Sequence, residues 1–250
     1  MKQLFSFLMA AAILPLMSSC QSIKIGGTTI KIPTTTNTNN TNNNNQLTTD
    51  EVVSGLKEAL KQGTNKGSDQ LSAVNGYFGN LAIKILMPPE AKTVEDKLRE
   101  YGFGSLVDNA ISSMNKAAEA AAPQAKSIFV NAITSMSFAD AWGILKGGDN
   151  AATTYLKQTC TTQLTNAFKP VIKTKLDEVG ATKYWSDVFT QYNKIPFVTP
   201  VNSDLPTYVT QKALDGLFYT IAQEELKIRK DPMGQTLDIL KKVFGSLLQH

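Results

Sequence analysis

Residues 208–230, YVTQKALDGLFYTIAQEELKIRK, decide the fold class of this chain of 250 residues. Apolar residues recur in this stretch at intervals of three and four, which is typical of a helix that buries one face. The centre of that face is formed by Leu214, Leu217, Ile221 and Ile228. Asp231 and Pro232 come next, and proline cannot continue a helix. The stretch therefore predicts a long amphipathic helix that must pack against other elements.

The same spacing runs through most of the remaining sequence. Thr48 and Glu51 form a capping box, which predicts the start of a first helix. Further helices are predicted over residues 91–101, 105–122, 123–133, 138–146, 149–168, 171–179, 182–192 and 233–248. Strands and helices do not alternate in the pattern, so we expect an all-α, bundle-like single domain over residues 48–250.

Two short features interrupt the helical pattern. Residues 81–87 are mostly apolar and are followed by Pro88 and Pro89. Because residues before a proline avoid the helical conformation, we predict that this segment is extended. Gly63 and Gly67 lie on the apolar stripe of the first helix. They predict either a close crossing of two helices or a break between two shorter helices.

The first 20 residues resemble the export signal of a bacterial lipoprotein. A basic start is followed by an apolar stretch over residues 4–17, which is too short to span a bilayer as a helix. Two serines and Cys20 then resemble a lipobox, in which the cysteine is acylated and the chain is cut before it. We predict a signal peptide over residues 1–19 and a lipid anchor at Cys20 that attaches the protein to a membrane. An ordinary signal peptide cut near Ser18 or Ser19 is the alternative.

Residues 20–47 are predicted to be the lipidated cysteine and a disordered tether. Residues 37–45 consist of seven asparagines and two threonines, with no apolar side chain to bury. A flexible coil of residues 21–47 spans about 25–30 Å. Gln21 and Ser22 resemble the residues that follow the anchor in lipoproteins sent to the outer membrane. The expected location is therefore the cell envelope, on the outer membrane and facing the periplasm.

Charge argues against a nucleic-acid partner. Without residues 1–19 the chain loses Lys2, so 24 lysines and arginines remain against 21 aspartates and glutamates, a net charge of +3. A nucleic-acid surface needs basic residues gathered on one face, and these are dispersed. Arginine, which grips phosphate with two hydrogen bonds, occurs only at Arg99 and Arg229.

Scarce histidine limits the chemistry that the chain can support. The one histidine is His250. A Ser–His or Cys–His nucleophile therefore has no base, and a zinc site lacks its usual nitrogen ligand. Cys160 is the thiol that remains after acylation of Cys20, and we interpret it as a buried packing residue, with a nucleophile as the alternative. The sequence predicts no cofactor and no metal site.

Glu224 and Glu225 are the strongest candidates for chemistry. Both lie near the apolar face of the helix over residues 208–230. A half-buried carboxylate pair could act in acid–base catalysis or bind a cation, with Asp215 or Asp140 as a further acid, base or ligand. Arg229 lies four residues beyond Glu225, so a structural ion pair is the favoured interpretation.

Three other motifs have both a functional and a structural interpretation. Residues 146–149, Lys-Gly-Gly-Asp, either cradle an anion at the start of the next helix or, as we favour, end one helix and cap the next. Asn115 and Glu119 are assigned to a solvated face opposite Ile111, with a ligand contact as the alternative. Most members of an aromatic group are expected in the core, and a subset could line an apolar groove. The group comprises Trp142, Tyr155, Tyr184, Trp185, Phe189, Tyr192 and Phe197.

Several long motifs together resemble one family. They are residues 76–80 (GYFGN), 115–121 (NKAAEAA), 144–153 (ILKGGDNAAT) and 208–218 (YVTQKALDGLF), the last continuing to Glu224-Glu225, Ile228-Arg229 and Asp231-Pro232. From about Leu47 to Gly245 the chain resembles the bacterial envelope family known as domain of unknown function 4197. The resemblance implies a helical secreted or lipoprotein domain and brings no catalytic residues.

The sequence leaves three functional hypotheses. The leading one is an envelope lipoprotein whose helical domain binds a protein partner or an apolar ligand. The rival is a carboxylate-dependent hydrolase or metal-binding enzyme that uses Glu224 and Glu225. The third is a structural role in assembly, which an exposed apolar patch of more than a few hundred Å² would indicate.

Overall fold

Helix α1 (Thr49–Ser72) begins at the predicted capping box. In this computed structural model the Glu51 N–H donates to Thr48 Oγ1 at 3.2 Å, and the Thr48 N–H donates to Glu51 Oε2 at 2.8 Å. These reciprocal bonds satisfy donors that the first turn of a helix leaves without partners. The structure describes residues 22–25, 28–31, 48–194, 196–197 and 199–231.

The other helices follow in the order that the apolar pattern predicts. They are α2 (Lys92–Glu100), α3 (Gly104–Ala121), α4 (Ala125–Ser135), α5 (Phe138–Lys146), α6 (Ala151–Glu178), α7 (Ala181–Tyr192) and α8 (Leu205–Lys230). Short 3₁₀ turns at Pro89–Ala91 and Ala122–Gln124 precede α2 and α4. The predicted all-α fold class is therefore confirmed.

Helix α6 is one continuous helix where the sequence predicted two. Pro170 lies inside it, although an interior proline costs about 3 kcal/mol. Phe168 and Ile172 on either side of the proline are fully buried. Burial of two such side chains contributes about 1.5–3 kcal/mol each, which is enough to offset the cost of the proline.

Helix α8 begins at Leu205, before the predicted start at Tyr208. Asp204 Oδ1 accepts the Thr207 N–H at 3.1 Å and so caps the helix. Pro206 occupies the first turn, where its missing N–H breaks no helical hydrogen bond. Pro206 therefore belongs to the helix.

The core forms around α8, which packs against α1, α3 and α6. Its predicted apolar face is buried, as is most of its length. Where α1 crosses α8, a Cβ at Gly67 would lie 2.8 Å from Ile221 Cδ1, and one at Gly63 would lie 3.4 Å from Ile228 Cδ1. Because α1 is also unbroken, the two glycines mark a close helix crossing and not a break.

Residues 73–88, which we call the strap, connect α1 to the turn before α2. The strap passes through turns as far as Ile83 and then runs without helix or strand from Lys84 to Pro88. The predicted extended segment over residues 81–87 thus begins later than expected. Ile83 and Ile85 are buried, and the strap contacts both α3 and α8.

A hairpin occupies part of the predicted tether, which we had expected to be disordered. Strands β1 (Ser22–Ile25) and β2 (Thr28–Lys31) pair antiparallel, with Ser22 opposite Lys31 and Ile25 opposite Thr28. The chain divides into two units, residues 1–45 and 46–250. The predicted signal peptide, Cys20, the asparagine-rich stretch and the predicted helix over residues 233–248 lie outside the described residues.

In the part of the chain that the structure describes, none of the helices taken singly has the length and apolar character needed to cross a bilayer. Gly104–Ser135 together with Phe138–Lys146 meets the criteria of length and composition, but this pair is bent by 104°.

Two interior helix glycines should respond in opposite directions to alanine. A Cβ at Gly216 would lie 2.8 Å from Tyr77 Cε1 and 3.2 Å from Ile83 Cβ, whereas a Cβ at Gly143 meets nothing within 4 Å. We expect Gly216→Ala to lower the free energy of unfolding by about 1–3 kcal/mol through this clash. Gly143→Ala should raise it by about 0.5–1 kcal/mol. Denaturant unfolding followed by circular dichroism measures both, and equal effects would contradict the packing of the strap on α8.

Candidate functional site

Glu225 lies at the junction of α5, α6 and α8. Its carboxylate accepts the Ala152 N–H at 2.9 Å, and the Thr153 N–H and hydroxyl at 2.8 Å each. These donors belong to the first turn of α6, where the free N–H groups and the helix dipole favour a negative charge. A side chain of α8 therefore caps α6. The side chain of Glu225 is only 5% exposed.

Arg229 completes this junction from the next turn of α8. Its Nη2 lies 2.8 Å from Glu225 Oε1, and its Nε donates to the same oxygen at 3.0 Å. Nη2 also donates to the carbonyl of Ile144 at 2.9 Å, and Nη1 to that of Gly147 at 3.4 Å. The guanidinium thus binds carbonyls at the end of α5, where the helix dipole favours a cation.

The glycine turn at residues 146–149 contacts the Glu225–Arg229 pair through the Gly147 carbonyl. We predicted that Asp149 or Asn150 would cap α6, but Asn150, the residue before the helix, makes no capping hydrogen bond with its side chain. The capping carboxylate comes instead from Glu225, 73 positions away from Ala152. The N–H groups that could cradle an outside anion therefore bind a carboxylate of the protein itself.

Glu224 is buried on the other side of α8. Its Oε2 lies 2.9 Å from Lys66 Nζ on α1, and its Oε1 accepts from Lys227 Nζ at 2.6 Å. Burial raises the pKa of Glu224, but the hydrogen bonds from Lys227 and Lys66 lower it by more, so the pKa lies below its ordinary value of 4.5. The group is therefore ionised at neutral pH and paired within the fold.

The other candidate carboxylates occupy separate places. Asp215 is exposed, with Lys212 Nζ at 3.9 Å. Asp140 forms a capping box with Ser137 at the start of α5, and hydrogen bonds from Ser137 hold the pKa of Asp140 below its usual range. Within the residues that the structure describes, no group of three or more histidine, cysteine, aspartate or glutamate side chains is placed to hold a metal ion.

Cys160 and most of the aromatic group lie in the core or pack against it. Cys160 is buried, and burial raises the pKa of its thiol, which disfavours the thiolate. Trp185 and Phe189 are in the core, with ring centroids 4.4 Å apart. Trp142, Tyr155 and Tyr192 are partly buried and pack against the core, whereas Tyr184 and Phe197 are exposed.

Asn115 and Glu119 hold the strap against α3, and our assignment of both to a solvated face was wrong. Asn115 is fully buried, with its Oδ1 accepting the Ile85 N–H at 2.9 Å and its Nδ2 donating to the Ile85 carbonyl at 2.8 Å. Both residues follow Ile111 at intervals of four, so all three share one face of α3. This spacing was the signal that could have identified them.

Glu119 and two tyrosines provide the other anchors of the strap. Glu119 Oε1 accepts the N–H groups of Tyr77 and Phe78 at 3.1 and 3.2 Å. The Tyr77 hydroxyl donates to the Ala213 carbonyl at 2.8 Å, and burial together with the charge of Glu119 raises the pKa of Tyr77. Tyr208 donates to the Leu86 carbonyl at 2.9 Å.

The outer side of the strap is apolar. The side chains of Val74 and Leu81 are 90% and 89% exposed, and Leu86 is also exposed. Lys84 is the one charged residue of the strap, and its Nζ lies 3.8 Å from the centroid of the Phe78 ring. Because buried hydrogen bonds fix the backbone beneath, these aliphatic groups are held in place on the surface.

The fold and the strap together define an all-α domain built around one central buried helix. The model of the family described as protein of unknown function (DUF4197) matches residues 46–245, so the chain belongs to that family. The resemblance inferred from the motifs is therefore confirmed. Searches of the curated proteins and of the solved structures returned no match.

Replacing Glu225 should reveal its role at the helix junction. We expect Glu225→Ala to lower the free energy of unfolding by about 3–5 kcal/mol, because it leaves Arg229, whose side chain is only 14% exposed, without its anion. Formate should partly restore the denaturation midpoint, since a small carboxylate can accept from the same donors of α6. Asp215→Ala is the control, and its exposed pair should change stability by less than about 1 kcal/mol. Equal losses in the two variants would contradict the capping role.

The low pKa of Glu224 makes stability depend on acid pH. The unfolded chain takes up this proton at a higher pH than the folded protein, so the stabilisation is complete above about pH 4.5 and is lost as the pH falls through the folded pKa. In Glu224→Gln the free energy of unfolding should therefore fall less steeply with acidification. Urea titrations at several acid pH values measure this slope. An unchanged slope, equal to that of wild type and of Asp215→Asn, would refute the assignment.

Proposed function

We propose that the protein is an envelope lipoprotein, acylated at Cys20, whose helical domain binds a protein partner through the outer side of the strap. The observation that carries the binding role is that Val74, Leu81 and Leu86 are exposed on a strap whose backbone is held by buried hydrogen bonds. Exposed aliphatic side chains in a monomer favour association, because contact removes their surface from water.

Preorganisation supports this role for the strap. Its inner side accepts hydrogen bonds from, or donates them to, Asn115 and Glu119 of α3, and the hydroxyl of its own Tyr77 donates to Ala213 of α8. Asn115, Glu119 and Tyr77 are all buried. An irregular segment held in this way loses little conformational freedom when a partner binds, so less of the interaction energy is spent on ordering. Loops positioned by a rigid scaffold are common binding elements.

The cavities beside α8 are too small to enclose a lipid, which favours a protein partner over an apolar ligand. Two cavities beside α8, which share Leu60, Glu225 and Ile228 in their walls, hold about 10 Å³ each. That volume admits roughly one water molecule, whereas ligand pockets measure about 300–1,000 Å³. The buried carboxylates also support binding over acid–base chemistry, because Glu224 and Glu225 both have charged and hydrogen-bonded partners inside the fold.

Support for the anchor and for the location comes from the sequence. The apolar stretch before Cys20 and the serines beside it are typical of a lipoprotein signal. Gln21 and Ser22 favour the outer membrane, with the domain facing the periplasm. A fully flexible tether over residues 21–47 would reach about 25–30 Å from the lipid surface, and the hairpin at residues 22–31 shortens that reach.

The anchor is tested by labelling with a palmitate analogue in a bacterial host. Wild-type protein should incorporate the label and partition into detergent, whereas Cys20→Ser should do neither. Cys160→Ser is the matched control and should be labelled like wild type, because that thiol is buried in the domain. Equal labelling of the Cys20→Ser variant would rule out acylation at this residue.

The strap is tested by photocrosslinking from defined positions in living cells. A photoreactive residue at position 81 should give a discrete protein adduct, and one at position 106, where Leu106 is exposed on α3, should not. Leu81→Ser together with Val74→Ser should reduce recovery of the crosslinked partner by about tenfold or more, in line with the loss of buried aliphatic area. Adducts of equal yield at both positions would contradict a binding surface on the strap.

A further inference from the structure

The loop between α7 and α8 is closed at its base by partly buried hydrogen bonds. Asn193 Oδ1 accepts the Val201 N–H at 2.8 Å, and Asn193 Nδ2 donates to the Val201 carbonyl at 2.7 Å. The indole N–H of Trp185 donates to the Asn202 carbonyl at 2.8 Å, and Val201 itself is buried. The two ends of the loop are therefore fixed to the aromatic end of α7.

The tip of this loop, Pro196 and Phe197, is directed into solvent. The Phe197 side chain is fully exposed, and its backbone has a φ of +68°, which a phenylalanine rarely adopts. Pro196 and Pro200 are exposed as well. An aromatic side chain in water on a disfavoured backbone gains nothing for the fold, so the tip is shaped for a contact outside the domain.

We propose that the Phe197 tip inserts into the interface of a lipid bilayer, an inference that rests on the proposed anchor at Cys20. Backbone N–H groups are costly to bury in lipid, and the two prolines at positions 196 and 200 have none. The proposed anchor and the tether over residues 20–47 keep the domain close to the membrane, so that the tip can reach the lipid.

A second exposed aromatic turn provides a matched control. Tyr101 and Phe103, between α2 and α3, are 70% and 53% exposed. The turn is surrounded by ion pairs, with Lys97 Nζ 2.6 Å from Glu100 Oε2 and Arg99 Nη2 2.9 Å from Asp108 Oδ1. Charged side chains are costly to bury in lipid, so this turn should stay in water when Phe197 enters the bilayer.

The test uses the mature chain from residue 20 with Cys20→Ser, so that no acyl group contributes to binding. Cys160 is buried, and Phe197→Cys then offers a single accessible thiol for an environment-sensitive fluorophore. With vesicles of phosphatidylethanolamine and phosphatidylglycerol, its emission should shift to the blue and be quenched by nitroxide on the lipid chains. The same label in Phe103→Cys should not respond. Phe197→Ser should weaken vesicle partition of the unlabelled chain by about tenfold.

The outcomes separate this inference from the proposed function. No blue shift at position 197, or equal responses at positions 197 and 103, would overturn insertion of the tip while leaving palmitate labelling at Cys20 untouched. Loss of palmitate labelling would refute the anchor and leave the vesicle result standing, because the chain used with vesicles has no acyl group.

Discussion

Burial of α8 is the constraint on which the rest of the structure depends. Because other helices surround most of its length, each charged side chain on its inner side needs a partner from another element. Glu225 accepts from N–H groups at the start of α6, and Arg229 donates to a carbonyl at the end of α5 and pairs with Glu225. A buried pair of this kind contributes little net stability compared with apolar packing. Its main effect is to set the position of α8 along its axis, since a shift of one turn would separate both charges from their partners.

Two asparagines, the buried Asn115 and the half-buried Asn193, fix irregular parts of the surface by the same means. Asn115 binds the N–H and the carbonyl of Ile85, and Asn193 binds those of Val201. An amide side chain presents one acceptor and one donor side by side, as a neighbouring strand would. The strap and the loop after α7 are thereby held in fixed shapes without belonging to a sheet. Both segments carry exposed apolar side chains.

Local sequence patterns predicted the helices, but they did not predict contacts between residues that are distant in the sequence. Periodicity placed the apolar face of α8, and the interval of four placed Arg229 beside Glu225. The capping of α6 by Glu225 could not be predicted, because local sequence suggests only Asp149 or Asn150 as caps. Asn115 was misplaced although its interval of four from Ile111 puts both on one face. A polar residue on such a face is buried only if an irregular segment covers it, and periodicity carries no information about that segment.

The distance along the chain between partners in this fold governs when it can form. Tyr77 meets Ala213 136 positions later, and Ala152 meets Glu225 73 positions later. The strap and the start of α6 therefore have unpaired polar groups until α8 has been synthesised. A chain whose central helix comes so late cannot close its core while it is still emerging from the ribosome. We expect the chain to stay largely unfolded until synthesis is complete, which is compatible with the export that we propose.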